Sequence, residues 1–162
     1  MILIAVGSNL RSEVFGSPLN NCRKAVELLK KEFQLHGVSN FYETEPIPKS
    51  DQPMYVNGVV SLRTKYLPNR VFEFLMSIEK FFQRVRTFKN ESRVIDLDLL
   101  SYNDVISNNK NLILPHPRMH LRRFVIQPIC DINPNWKHPV LKMSAQNILK
   151  TLEKQKISFI ST

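Results

Sequence analysis

Arg93-Val94-Ile95-Asp96-Leu97-Asp98-Leu99-Leu100 alternates polar and apolar residues with period two, which predicts a strand. Ile95, Leu97 and Leu99 fall on one face, and Asp96 and Asp98 on the other. Two carboxylates at i and i+2 sit roughly 7 Å apart at Cα and repel each other. A shared hard cation relieves that repulsion: Mg²⁺ binds through one or two carboxylates plus substrate phosphates. Taken alone, the pair reads more readily as an exposed strand face neutralised by Lys or Arg. Its neighbours favour the metal. Arg84, Arg86 and Arg93 precede it, and Pro115-His116-Pro117-Arg118 and Arg122-Arg123-Phe124 follow. Acids for metal beside several arginines point to a polyphosphate site.

Working outward, 162 residues suit one domain, residues 1–162, with a proper core. The net charge of +9 favours anionic partners, but no block of like charge suggests a nucleic-acid tail. Cys22 and Cys130 lack CxxC spacing and read as reduced thiols of a cytoplasmic protein. Met1 to Val6 is too short for a membrane span or signal peptide, so no membrane partner is expected. Four glycines exclude a Walker A loop, a Rossmann fingerprint and a kinase glycine-rich loop. Phosphates must then be held by side chains and metal.

Met1 to Val6 predicts a buried strand, and Gly7-Ser8-Asn9 a turn. Ser17-Pro18 starts a helix running to about Phe33, and Gly37 breaks the pattern before a strand from Val38 to Glu43. Thr44 to Pro53 holds three prolines and reads as a semi-rigid loop, either a connector or a functional element. Tyr55 to Thr64 is a strand with Val56, Gly58, Val60 and Leu62 on one face and Tyr55, Asn57, Val59 and Ser61 on the other. Tyr55 and Asn57 offer a ring and an amide to a ligand, or a surface tyrosine and a solvated amide. Pro68 opens a second helix to about Gln83, where Glu79 is a solvated flank or faces the site. Thr87 to Ser92 is polar and without period, the interior of a loop from Arg84 to Arg93 whose border arginines phosphates could recruit to close a lid. His116 and His120 have helical zinc spacing, but Pro115 and Pro117 argue against a helix there, and zinc is discounted. Phe124 to Ile129 reads as buried, Ser144 caps a last helix, and the final residues are expected to fray.

These motifs resemble the 6-hydroxymethyl-7,8-dihydropterin pyrophosphokinase family of folate biosynthesis. The resemblance rests on Gly7-Ser8-Asn9-Leu10, Phe41-Tyr42-Glu43-Thr44, Asp51-Gln52-Pro53, Tyr55-Val56-Asn57, Glu79 with Arg84-Val85-Arg86, Arg93 to Asp98, and Pro115-His116-Pro117 with Arg122 and Phe124. They are collinear over roughly residues 1 to 130. The resemblance implies an α+β fold: a ferredoxin-like domain with a mostly antiparallel sheet, helices packed on it and a C-terminal α/β extension. The element order strand, helix, two strands, helix, strand agrees. It implies a cytoplasmic, monomeric transferase that moves diphosphate from ATP onto 6-hydroxymethyl-7,8-dihydropterin and releases AMP, with no nucleic-acid partner. Asp96 and Asp98 would hold two Mg²⁺ ions, and Arg84 and Arg93 would brace the diphosphate. Glu79, Arg86, Leu99, His116 and Arg122 would serve ATP. Thr44, Ile47, Tyr55, Asn57 and Phe124 would hold the pterin. The sequence departs from the family at Gln83, where glycine is usual, at Pro48, and in having no tryptophan between Thr87 and Ser92.

Overall fold

A computed structural model describes residues 1–46, 48, 50–82, 94–152 and 156–160. The first strand, β1 (Ile2–Ser8), is apolar along nearly its whole length because helices cover both of its faces. It runs through Gly7 and Ser8, where a turn was expected. Helix α1 (Pro18–Glu32) starts where Ser17 Oγ accepts the Asn20 N–H at 3.3 Å, with Pro18 at the first helical position.

The expected strand from Val38 to Glu43 is instead two: β2 (Gln34–Val38) and β3 (Tyr42–Thr44). Both lie on the same edge of β4 (Tyr55–Arg63). Ser39 bridges the gap between them, bonding Val59 through both its backbone N–H and its hydroxyl. Gly37 lies inside β2, where a Cβ would come 3.0 Å from Ile132 Cγ2.

Helix α2 (Pro68–Phe81) leads to β5 (Asp96–Tyr102). The hairpin β6 (Ser107–Asn109) and β7 (Leu112–Leu114) comes next, then α3 (Arg123–Ile132), α4 (Ala145–Thr151) and β8 (Ser158–Phe159). The segment read only as buried is thus a helix, with Pro128 inside it. Of the C-terminal residues expected to fray, Ser158 and Phe159 pair with β3, and 161–162 lie outside the described residues.

One antiparallel sheet runs β5-β1-β4-β3-β8, with β2 on β4 beside β3. Helices α1 and α2 cover one face. There Cys22, Ala25, Leu29, Val71, Leu75 and Ile78 pack against Ile4, Val6, Val60, Leu62, Leu97 and Leu99. Helices α3 and α4 cover part of the other face, through Leu3, Val59 and Leu100. The register slips between Leu3 and Ile4, and Leu100 is the extra residue of β5. Toward the opposite end of that second face, Tyr55, Asn57, Asp96 and Asp98 are only half-buried.

Candidate active site

The register aligns four strands into a row. Asp96 on β5 opposes Gly7 on β1, Gly7 opposes Asn57 on β4, and Asn57 opposes Tyr42 on β3. Directly paired residues in an antiparallel sheet share a face, so all four lie on the half-covered side. Asp98 follows in the next row, opposite Ala5. Gly7 leaves a gap in the row, because a Cβ there would meet Asn57 Oδ1 at 3.0 Å and Asp96 Cβ at 4.0 Å.

Asn57 is fixed by its neighbour strand. Its Nδ2 donates to Thr44 Oγ1 at 2.8 Å, which leaves Oδ1 over Gly7. Thr44 is buried and pairs with Tyr55. The Tyr55 hydroxyl donates to Gln52 Oε1 at 3.0 Å. Asn9 Nδ2 reaches the same Oε1 and the Pro53 carbonyl, each at 3.4 Å. The proline loop is therefore stitched to the end of β1 and to the tyrosine beside it.

The aspartate strand is held from two sides. Buried Glu79 of α2 accepts the Leu97 N–H at 2.9 Å, at the outer edge of β5 and between the two aspartates in sequence. At the start of this strand, Ser8 Oγ donates to the Val94 carbonyl at 2.6 Å, and Asn21 Nδ2 reaches the same carbonyl at 3.2 Å. Ser8 and Asn21 are both fully buried.

Positive charge gathers on the far side of Asp96. The His116 N–H bonds the Leu100 carbonyl at 2.8 Å, which places His116 beside β5. Burial pushes the His116 imidazole down to about 4, helped by the charges of Arg122 and Arg118 and opposed by Asp96. His116 is thus neutral at pH 7. Its Nδ1 accepts the Arg118 N–H at 3.3 Å, so the proton sits on Nε2, which is a donor. Arg122 precedes the first residue of α3 and lies with its guanidinium 5.5 Å from the centre of the Phe124 ring. A carboxylate pair, an amide, two rings and a basic cluster thus share one open end of the sheet. Such a set can hold a polyphosphate and a flat polar heterocycle side by side.

Residues 3–134 match the profile of the family described as 7,8-dihydro-6-hydroxymethylpterin-pyrophosphokinase (HPPK). The chain belongs to the HPPK family. It is 39% identical over 129 residues to the 2-amino-4-hydroxy-6-hydroxymethyldihydropteridine pyrophosphokinase of Haemophilus influenzae, covering 80% of this chain and 79% of that protein. It is 33% identical to a folic acid synthesis protein of Dictyostelium discoideum, covering 91% of this chain but only 22% of the longer relative. Other folic acid synthesis proteins, from Schizosaccharomyces pombe and Pneumocystis carinii, are also far longer, and the chain spans 21% and 19% of them. The fold matches the crystal structure of Plasmodium falciparum HPPK-DHPS with pteroate, at a TM-score of 0.71 and 13% identity, over 98% of this chain and 47% of that one.

Within this HPPK fold, the register brings Thr44, Tyr55, Asn57, Asp96 and Asp98 to one end of a sheet face, and His116, Arg122 and Phe124 follow one another beside the aspartate strand. Leu99 does not join them: its side chain is buried in the α1 and α2 core, so only its backbone could meet a nucleotide. Glu79 stands at the edge of β5 and supports it. Arg84, Arg86, Arg93 and Ile47 lie outside the described residues, as do Gln83 and the whole expected lid, residues 84–93.

The donor chemistry fits magnesium. Asp96 and Asp98 present carboxylate oxygens on one face, and Gly7 leaves room beside them. Among the described residues no group of three or more His, Cys, Asp or Glu forms a closed cage. A cation held by two carboxylates and completed by phosphate oxygens and water needs none. The sequence reading passed over Asn21, although a polar residue one turn before Ala25 on an apolar helix face signals a buried network. It also gave Gly7 no part beyond a turn. The gap opened by Gly7 is visible only once β1 lies between β4 and β5.

Proposed function

We propose that the chain transfers the β,γ-diphosphate of ATP to the hydroxymethyl oxygen of 6-hydroxymethyl-7,8-dihydropterin, with Mg²⁺, and releases AMP. The observation that carries this reading is the row Asp96, Gly7, Asn57, which sets a metal-type carboxylate two strands from an oriented amide. That separation, about 9 to 10 Å, suits a bicyclic ring that ends in a hydroxymethyl arm.

Asn57 reads the amide edge of the pterin, held in one orientation by Thr44. Tyr55 and Phe124 supply ring faces, and the family resemblance assigns Ile47 to the same ligand. Asp96 and Asp98 would hold two Mg²⁺ ions, which when bound neutralise phosphate charge and lower the pKa of the attacking hydroxyl. The His116 Nε2–H and Arg122 hold phosphate oxygens from the other side, with Arg84 and Arg93 bracing the diphosphate and Arg86 serving ATP. Glu79 keeps Leu97, and so the two aspartates, in register. The pterin hydroxyl oxygen bonds to the β-phosphorus as the bond from that phosphorus to the oxygen bridging to the α-phosphate breaks. AMP leaves, and the hydroxyl proton passes to water. Positioning and charge neutralisation supply most of the rate, as expected for phosphoryl-type transfer.

Residues 1–162 act as one catalytic domain in this reading. Free thiols at Cys22 and Cys130 suit a reducing compartment such as the cytoplasm. The test is AMP formation with single omissions. Product should require ATP, Mg²⁺ and the pterin alcohol together. AMP release at equal rate without the pterin would overturn the proposal.

A further inference from the structure

Helix α3 crosses the sheet. Its start lies beside His116 and β5, and its end meets β2 and β3. Ten residues of helix span about 15 Å, close to three strand spacings. Phe124 stands in the first turn and Asp131 in the last. The Asp131 carboxylate gathers donors from three places. The Tyr42 hydroxyl lies 3.0 Å from Oδ1 and 2.9 Å from Oδ2. The Asn40 N–H reaches Oδ2 at 3.2 Å, and Gln127 Nε2 reaches Oδ1 at 3.4 Å.

Tyr42 is the direct neighbour of Asn57 in the sheet. Tyr42 is buried, and its ring meets Phe159 of β8 edge-on, with centroids 6.1 Å apart. Close by, Ile132 of α3 packs where a side chain at Gly37 would sit. One end of α3 is therefore docked on the strands next to Asn57 and Thr44, while its other end presents Phe124. A phenol donating to a carboxylate is a charge-assisted bond, shorter and stronger than a neutral pair.

We propose that Asp131 and Tyr42 are positioning residues that set the width of the ring slot, by fixing the helix that carries Phe124 against β3, the neighbour of the strand that carries Asn57 and Tyr55. This rests on the reading of the slot as the pterin site. Neither residue touches the substrate. Losing the bond lets α3 shift relative to β3, and the cost falls on the ligand that needs both sides of the slot. The polyphosphate, held chiefly by β5 and the His116 segment, meets α3 only through Arg122 at its start, the end far from Asp131, and so depends far less on that spacing.

The test is a double-mutant cycle of Tyr42→Phe and Asp131→Asn in the full chain, with KM for each substrate, kcat and melting temperature measured. Each single variant should raise KM for the pterin alcohol about ten-fold, the worth of one hydrogen bond to a charged group. KM for ATP should stay near the wild-type value, and the double variant should be no worse than the poorer single one. Equal losses for both substrates, or additive losses, would reduce the pair to a stabilising contact and overturn the proposal. So would unchanged pterin KM in both variants while the wild type turns over. A wild type that forms no AMP from the pterin alcohol instead overturns the activity assignment, and the slot with it.

Discussion

Asn57 and Asp96 lie two strands apart on one face of the sheet, separated only by Gly7. The glycine keeps the line between amide and carboxylate clear, and it needs no unusual backbone conformation to do so. Gly7→Ala would place a methyl 3.0 Å from Asn57 Oδ1, and Thr44 resists the amide turning away. Pterin affinity is expected to fall by about 1–2 kcal/mol, as for a mildly overpacked site. Melting temperature should change little, because alanine suits a strand better than glycine. Calorimetric titration with the pterin alcohol checks this, and unchanged affinity would mean the ring does not lie over Gly7.

Asp98→Asn should cut turnover about a thousand-fold or more, the scale on which a site loses aimed charge stabilisation. The unliganded protein should be as stable or more so, since one of two repelling carboxylates is gone. Steady-state AMP production together with a thermal melt gives both readings. Near-normal turnover would remove the metal assignment.

Phe124→Ala should weaken pterin binding by about 1–3 kcal/mol, counting stacking and burial. ATP should lose less, although Arg122 gives up the ring on which it rests. Phe124→Leu, which keeps an apolar side chain against the second core but not the ring face, separates fold damage from lost stacking. Equal losses for both ligands would make Phe124 a core residue only.

Burial pushes the His138 imidazole down to about 4, with His120 adding to the effect. His138 Nδ1 accepts the Val140 and Leu141 N–H groups, each at 3.2 Å, so the neutral form is the one built into the fold. Between about pH 6.5 and 4 the unfolded chain takes up a proton that folded His138 refuses. Its contribution to stability is complete above the upper limit and is lost as pH falls through that window. Denaturant melts should show His138→Asn, whose carbonyl can accept the same N–H groups, losing less stability across that range. Identical acid sensitivity in both proteins would show that His138 does not govern it.

The parts legible in the sequence are those with a local cause. Period-two alternation sorted Val56, Val60 and Leu62 from Asn57 and Val59, and it put Asp96 and Asp98 on one face. Ser17-Pro18 marked the start of α1 by its own capping chemistry. Long-range pairing decided the rest. Residues 34–44 split into two strands because β4 offers one long edge and Ser39 bonds into its middle. Ser158 and Phe159 become a strand only against β3. Pro128 hid α3, whose helical state is secured by packing on Leu3, Val59 and Leu100. Glu79 could be placed near the site from its neighbours, but its bond to Leu97 depends on how α2 lies along β5.

The central claim is that the site joins ATP and a pterin alcohol by diphosphate transfer. Phosphorus NMR of a single reaction mixture tests it most directly. AMP and a pterin ester carrying two phosphorus atoms should appear together in equal amounts, and both should vanish in Asp98→Asn. ADP with a pterin monophosphate, or free diphosphate with no ester, would contradict it.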